Sequence, residues 1–115
     1  MDSVLTSIKK LLGIAEEYTQ FDNDIIMYIN GVFMTLNQLG VGPQQPASIE
    51  GKDDTWLIAL GDISNLEAVK TYVYLKVRIL FDPPASSAVI DAMNRQADEI
   101  EWRLTLQAEN NGEEE

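Results

Sequence analysis

For most of the chain, apolar residues recur at helical spacing. Val4, Leu5, Ile8, Leu11 and Leu12 fall at three- and four-residue steps, and Gly13 stands where a helix exit places glycine. In "FDNDIIMYINGVFMTLNQLG", Ile25, Ile29, Val32, Leu36 and Leu39 form a second stripe, which Ile26 and Phe33 widen. Asp22, Asn23 and Asp24 suit the positive N-terminal end of that helix and Gly40 its exit. Gly31 lies inside it, at a cost of about 1 kcal/mol relative to alanine, and marks either a close helix crossing or nothing. "DDTWLIALG" predicts a short helix opened by Asp53 or Asp54, carrying Trp56, Leu57 and Leu60, and closed by Gly61. Ser64 and Glu67 match a capping box at the start of the next helix. That helix runs to Phe81 with apolar residues on nearly every side (Leu66, Val69, Tyr72, Val73, Leu75, Val77, Ile79 and Leu80), which places it at the centre of a bundle.

The run "KVRILFDPPASS", residues 76–87, ends this helix abruptly. Pro83 and Pro84 fix the backbone and remove two amide donors, so the chain must turn, and Ser86 and Ser87 are suited to cap a further helix. The last helix is expected from about Ser87 to Gln107, with Val89, Ile90, Met93, Ala97, Ile100 and Leu104 as its core stripe. Asp91 with Arg95 and Glu99 with Arg103 are i, i+4 pairs on its wet side. The fold class read from the pattern is all-α: a compact bundle of about five helices, a central apolar helix, and a Pro-Pro corner before a long C-terminal helix. Residues 1–108 form the helical domain, and 109–115, within "ENNGEEE", are expected to be a disordered acidic tail.

A chain of 115 residues makes one domain, long enough to bury roughly two-thirds of its unfolded surface. Nineteen acidic residues against eight basic ones leave a net charge of -11, which argues against general binding to nucleic-acid phosphates or anionic membrane surfaces. Without cysteine or histidine there are no disulfides, no thiolate nucleophile and no neutral-pH proton shuttle, and almost no zinc chemistry. "MDSVLTSIKKLLG" is too short in apolar residues for a signal peptide, and no segment approaches the roughly 20 apolar residues of a membrane span, so a soluble cytoplasmic protein is expected.

Three features bear on function. At about 100° per residue, Trp102 and Leu106 lie roughly 160 to 210° from the middle of the last helix's apolar stripe. They are candidate partner contacts, unless the loop containing Gln44 covers the Trp or it is simply left partly exposed. Arg78, on the apolar central helix, is placed to pair with Asp82 and so fix the corner, or to reach a neighbouring chain. "VGPQQPASIEGK" reads as a surface loop of about a dozen residues. The many carboxylate pairs (Glu16 with Glu17, Asp22 with Asp24, Asp53 with Asp54, and Asp98, Glu99 and Glu101) read as caps and solvated faces. No phosphate loop, nucleophile elbow or triad can be assembled, so no catalytic, cofactor-binding or metal-ligating residue is assigned and no enzyme is expected.

The ordered set "IKKLLGI", "LNQLGVGP", Trp56, "VKTYVYLKVRILFDPPASSAVIDAM" and "EIEWRL" resembles the small head-tail connector proteins of tailed bacteriophages, in the adaptor or head-completion group from phages and prophages of Gram-positive bacteria. The resemblance spans residues from about 3 to 104. It implies an all-α structural virion protein at the head-tail interface, assembled in the host bacterial cytoplasm. Its partners would be other copies of itself in a ring, twelvefold when seated on the portal; the phage portal protein; the next connector or tail-terminator protein; and DNA that passes without sequence-specific binding. No membrane and no cofactor are implied. On this reading Trp102, Leu106, Arg78, Asp82, Pro83 and Pro84 are the candidate interface, and Gly42, Pro43, Gln44, Gln45 and Pro46 the candidate channel or partner loop. A competing reading is a small acidic phage regulatory protein that mimics DNA, although the carboxylates look scattered rather than arrayed on one face. A carboxylate-metal enzyme is a third, disfavoured by the missing histidine.

Overall fold

The apolar spacings become five helices in the computed structural model, which describes residues 2–113: α1 (Val4–Leu12), α2 (Asp22–Gln38), α3 (Trp56–Leu60), α4 (Leu66–Phe81) and α5 (Ser87–Glu113). The chain is all-α; Ser3 and Thr55 form one isolated antiparallel bridge among the described residues. Helix α4 lies at the centre and packs against α1, α2 and α5. Its apolar residues Val69, Tyr72, Val73, Leu75 and Val77 are buried, but Ile79 is half-buried and Leu80 is 57% exposed, so its last turn is open on one side.

The α2 stripe faces inward as its spacing requires, with Ile25, Ile29, Phe33 and Leu36 all buried. Each such side chain contributes about 1.5–3 kcal/mol on burial. Two side-chain bonds show how α4 and α5 run. Asn65 Nδ2 donates to Gln107 Oε1 at 2.8 Å, and Tyr72 Oη donates to Glu101 Oε2 at 2.8 Å. Going from Asn65 to Tyr72 along α4 therefore goes backward along α5, from Gln107 to Glu101, and the two helices form an antiparallel hairpin. Its turn is the Pro83-Pro84 corner. Ser86 Oγ accepts from Val89 N at 3.4 Å, and the Ser86 carbonyl from Ile90 N at 3.1 Å, as expected of an N-cap.

Three local expectations were not met, the first because of a tertiary contact. The capping box at Ser64 and Glu67 does not form: Asn65 is the N-cap, with no side-chain cap bond. Gln107 of α5 reaches over instead, donating to Ser64 Oγ at 3.3 Å and accepting from Asn65. Helix α3 is opened by Thr55, whose Oγ1 accepts from Ile58 N at 3.1 Å, while Asp54 Oδ2 closes the preceding turn by accepting from Glu50 N at 2.7 Å. Only Trp56 and Leu60 of α3 are buried; Leu57 is exposed.

Helix α5 also extends past Gln107 to Glu113, taking in residues expected in the tail. Ala108 supports the extension by packing where a side chain at Gly40 would come within 3.2 Å of its Cβ. Residues 114 and 115 of the tail lie outside the described residues. At the other end, Val89 is exposed, so the start of α5 projects beyond the core stripe.

Lys9 is the one charged residue that the core takes in among the described residues, at 2% exposure. Its Nζ donates to the Glu16 carbonyl at 2.9 Å and the Tyr18 carbonyl at 2.8 Å, and it lies 2.8 Å from Asp22 Oδ1. Two of the ammonium protons go to those carbonyls, and Asp22 stands beside the charge as its counter-ion. One lysine thus ties α1, the connection 13–21 and the first residue of α2 together. The molecule measures 44 × 35 × 19 Å. The long edge fits α5, whose 27 residues span about 40 Å, and the short edge is about two helix diameters.

Candidate functional site

The 100° step that turns Ala97 and Leu104 into the core turns Trp102 and Leu106 out of it. Trp102 is 62% exposed and Leu106 is 39% exposed, one turn apart on the outer face of α5. The Gln44 loop does not cover them. It begins against the opposite face of α5, where Gly40, Val41 and Gly42 share a small pocket with Leu104, Gln107 and Ala108. Tyr72 fixes the rotation of α5 that presents Trp102, through its bond to the adjacent Glu101. Burial, reinforced by that hydrogen bond and by the charges of Glu101 and Asp98, pushes the Tyr72 phenol well above its ordinary value, so it stays a neutral donor at physiological pH.

At the corner, Arg78 does reach Asp82, but not as a carboxylate pair. Its Nε donates to the Asp82 backbone carbonyl at 2.6 Å, and Nη1 lies 3.4 Å from the Tyr74 hydroxyl. The helix exit explains the change: the last carbonyls of α4 have no intrahelical donor, and a guanidinium one turn back satisfies one. Phe81 meets Phe21 edge-on at 5.5 Å between ring centres and Tyr28 at 6.4 Å, and Tyr18 stacks on beside Phe21 at 5.8 Å. Phe81, two residues before Pro83, is thereby anchored against the start of α2. Of the two expected α5 pairs, Glu99–Arg103 closes at 2.8 Å; Asp91–Arg95 is not among the ion pairs of the described residues.

The candidate loop is exposed from Gly42 to Pro46 and pinned at both ends to α2. Asn37 Nδ2 donates to the carbonyls of Pro43 (3.2 Å) and Gln44 (2.9 Å). Asn30 exchanges two hydrogen bonds with the backbone of buried Ile49, at 2.8 and 3.0 Å. The tip is therefore presented in a set place without regular structure.

One surface feature was not anticipated from the sequence. Met27, Gly31, Lys76, Ile79, Leu80 and Asn94 line a groove of about 390 Å³ over the open last turn of α4. A Cβ at Gly31 would meet nothing within 4 Å, so this glycine marks no close helix crossing. Part of the signal was available: Met27 and Gly31 fall at i and i+4 on the side of α2 away from its core stripe, and Met27 is exposed. Among the described residues no cluster of three or more carboxylates is gathered to hold a metal ion, and no helix is long and apolar enough to cross a membrane.

A family model described as phage connector protein matches residues 4–111, from the first residue of α1 into the last turns of α5. The chain belongs to the phage connector protein family. No curated protein matches the chain, and no solved structure does. The connector match takes in the Pro83-Pro84 corner, the pinned loop, the groove, and Trp102 with Leu106, so all the candidate surfaces belong to the connector domain itself.

Proposed function

We propose that the chain is a structural subunit of the phage head-tail connector. It assembles with copies of itself into a closed ring between the portal and the next connector or tail-terminator protein, giving DNA a conduit and catalysing no reaction. The observation that carries this is the Trp102–Leu106 patch, held outward by a helical hairpin whose corner is stiffened by Pro83 and Pro84. A ring requires two different complementary faces repeated identically in each copy, and a rigid hairpin keeps their angle constant. The net charge of -11 suits a conduit through which a polyanion slides without sticking. The loop from Gly42 to Pro46 would reach the channel or a neighbouring ring component.

In this role the protein resides in the virion, after assembly in the host cytoplasm. The test is co-sedimentation of the purified chain with the portal protein of the phage or prophage that encodes it. A stable complex carrying several chains per portal ring is expected. No portal affinity, together with tight binding to a DNA-binding enzyme, would overturn the connector reading in favour of an acidic regulatory protein.

A further inference from the structure

The ring reading leaves open which surface of one copy receives Trp102 of the next. We propose, resting on that reading, that the contact is heterologous: Trp102 and Leu106 of one copy enter the α2–α4–α5 groove of its neighbour. Neither residue lines its own copy's groove, so the two patches are separate and a single chain cannot satisfy itself.

The fit is chemical as well as spatial. A cavity of about 150 Å³ holds a benzene, so a groove of about 390 Å³ has room for an indole with a leucine side chain beside it. Met27, Ile79 and Leu80 supply adaptable apolar walls, and Gly31 leaves the α2 backbone bare where the ring must approach closely. The indole N–H needs an acceptor once buried, and the groove offers the Asn94 amide and the Thr35 hydroxyl. Lys76 is the one charged residue lining it. On the donor side, Asp98 and Glu109 flank Trp102 on the same helical face; Arg95 shares that face, and Glu99 is paired with Arg103. The acidic groups beside the aromatic knob thus face the groove's single cation, Lys76, whose Nζ rests 5.9 Å from the ring centre of its own copy's Tyr72 and would swing from it to meet the incoming indole. A knob and a groove that are separate patches of one chain make a heterologous contact, which gives a ring when the copy-to-copy rotation closes.

The chain contains no cysteine, so site-directed disulfides report the contact without background. Full-length Met27→Cys and Leu106→Cys chains are mixed under mild oxidation, with Lys52→Cys as an exposed control, and the same samples are weighed by native mass spectrometry. The expected result is a mixed disulfide at about tenfold the yield of Met27→Cys with Lys52→Cys, as effective concentration in a specific contact requires. The double variant should give a ladder of covalent oligomers. Gly31→Leu, whose side chain enters open space, should fold normally yet lose both the disulfide and the ring. Self-linking of Leu106→Cys, a mixed yield no higher than the control, or normal assembly of Gly31→Leu overturns the contact. If rings persist in those cases, alone or on the portal, the ring reading stands and only the contact is wrong; monomers throughout that also stay off the portal sink both.

Discussion

Replacing Lys9 by methionine keeps the aliphatic stem in the core and removes the ammonium alone. Three interactions go with it: the two carbonyl acceptors at 2.9 and 2.8 Å and the Asp22 carboxylate at 2.8 Å. Hydrogen bonds to a charged group are worth about 1.5–3 kcal/mol each on removal. The sum is an upper bound, because the Glu16 and Tyr18 carbonyls belong to exposed residues that water can reach. Asp22, with 22% of its side chain exposed, keeps less access to solvent and is left without its cation. Breaking a buried pair by removing one partner costs about 3–5 kcal/mol, and the lower end applies here. With an unfolding entropy of about 2.1 cal/mol/K per residue, 3 kcal/mol lowers Tm by about 12 °C for a chain of this length. Thermal and urea melts followed by far-UV circular dichroism measure this directly. Limited proteolysis should find the connection 13–21 cut much faster, since it loses its tie to α1. Asp22→Asn should cost about 1 kcal/mol alone and much less in the Lys9→Met background. A Lys9→Met chain within about 0.5 kcal/mol of wild type would refute the view that this lysine holds α1, the connection and α2 together.

Three further outcomes rest on the same geometry. Tyr72→Phe removes the α4–α5 bond and should cost about 1.5 kcal/mol in urea unfolding. Because folding raises that phenol's pKa above its ordinary value of 10.0, the bond's contribution is intact below pH 10 and is lost as pH rises above it, so the variant should show a shallower alkaline loss of stability. Gly31→Ala replaces a mid-helix glycine whose Cβ would meet open space, and should raise stability by about 1 kcal/mol, or roughly 4 °C in Tm; a fall would show the site to be crowded. Pro83→Ala with Pro84→Ala should leave a helical monomer by circular dichroism but impair ring formation by native mass spectrometry, and unchanged assembly would remove the corner from the account.

Much of the fold was legible because α2, α4 and α5 obey a simple geometric rule: residues at 3.6-residue spacing share a face. Ile25, Ile29, Val32 and Leu36 went inside on that basis, and Trp102 went outside by the same arithmetic. Local motifs failed where a distant residue competed for the same atoms. Ser64 fits a capping box in isolation, but Gln107, 43 positions away, takes its hydroxyl. Arg78 was correctly directed toward Asp82, yet the carbonyl rather than the carboxylate was its acceptor, which only the backbone conformation of the exit decides. Lys9 was invisible because two of its partners are backbone carbonyls of an irregular connection, which leave no trace in a sequence, and the third, Asp22, reads as a helix N-terminal acid. The groove was half legible: the Met27 and Gly31 spacing was present, but that Leu80 would remain uncovered depended on how α5 packs along the end of α4.

The central claim is that these subunits form a closed connector ring. Native mass spectrometry of the purified chain over a concentration series, alone and with the portal ring, tests it most directly, with negative-stain images of any large species. The account predicts one dominant stoichiometry and images of closed rings with a central hole. A chain that stays monomeric at every concentration, and stays off the portal as well, contradicts it.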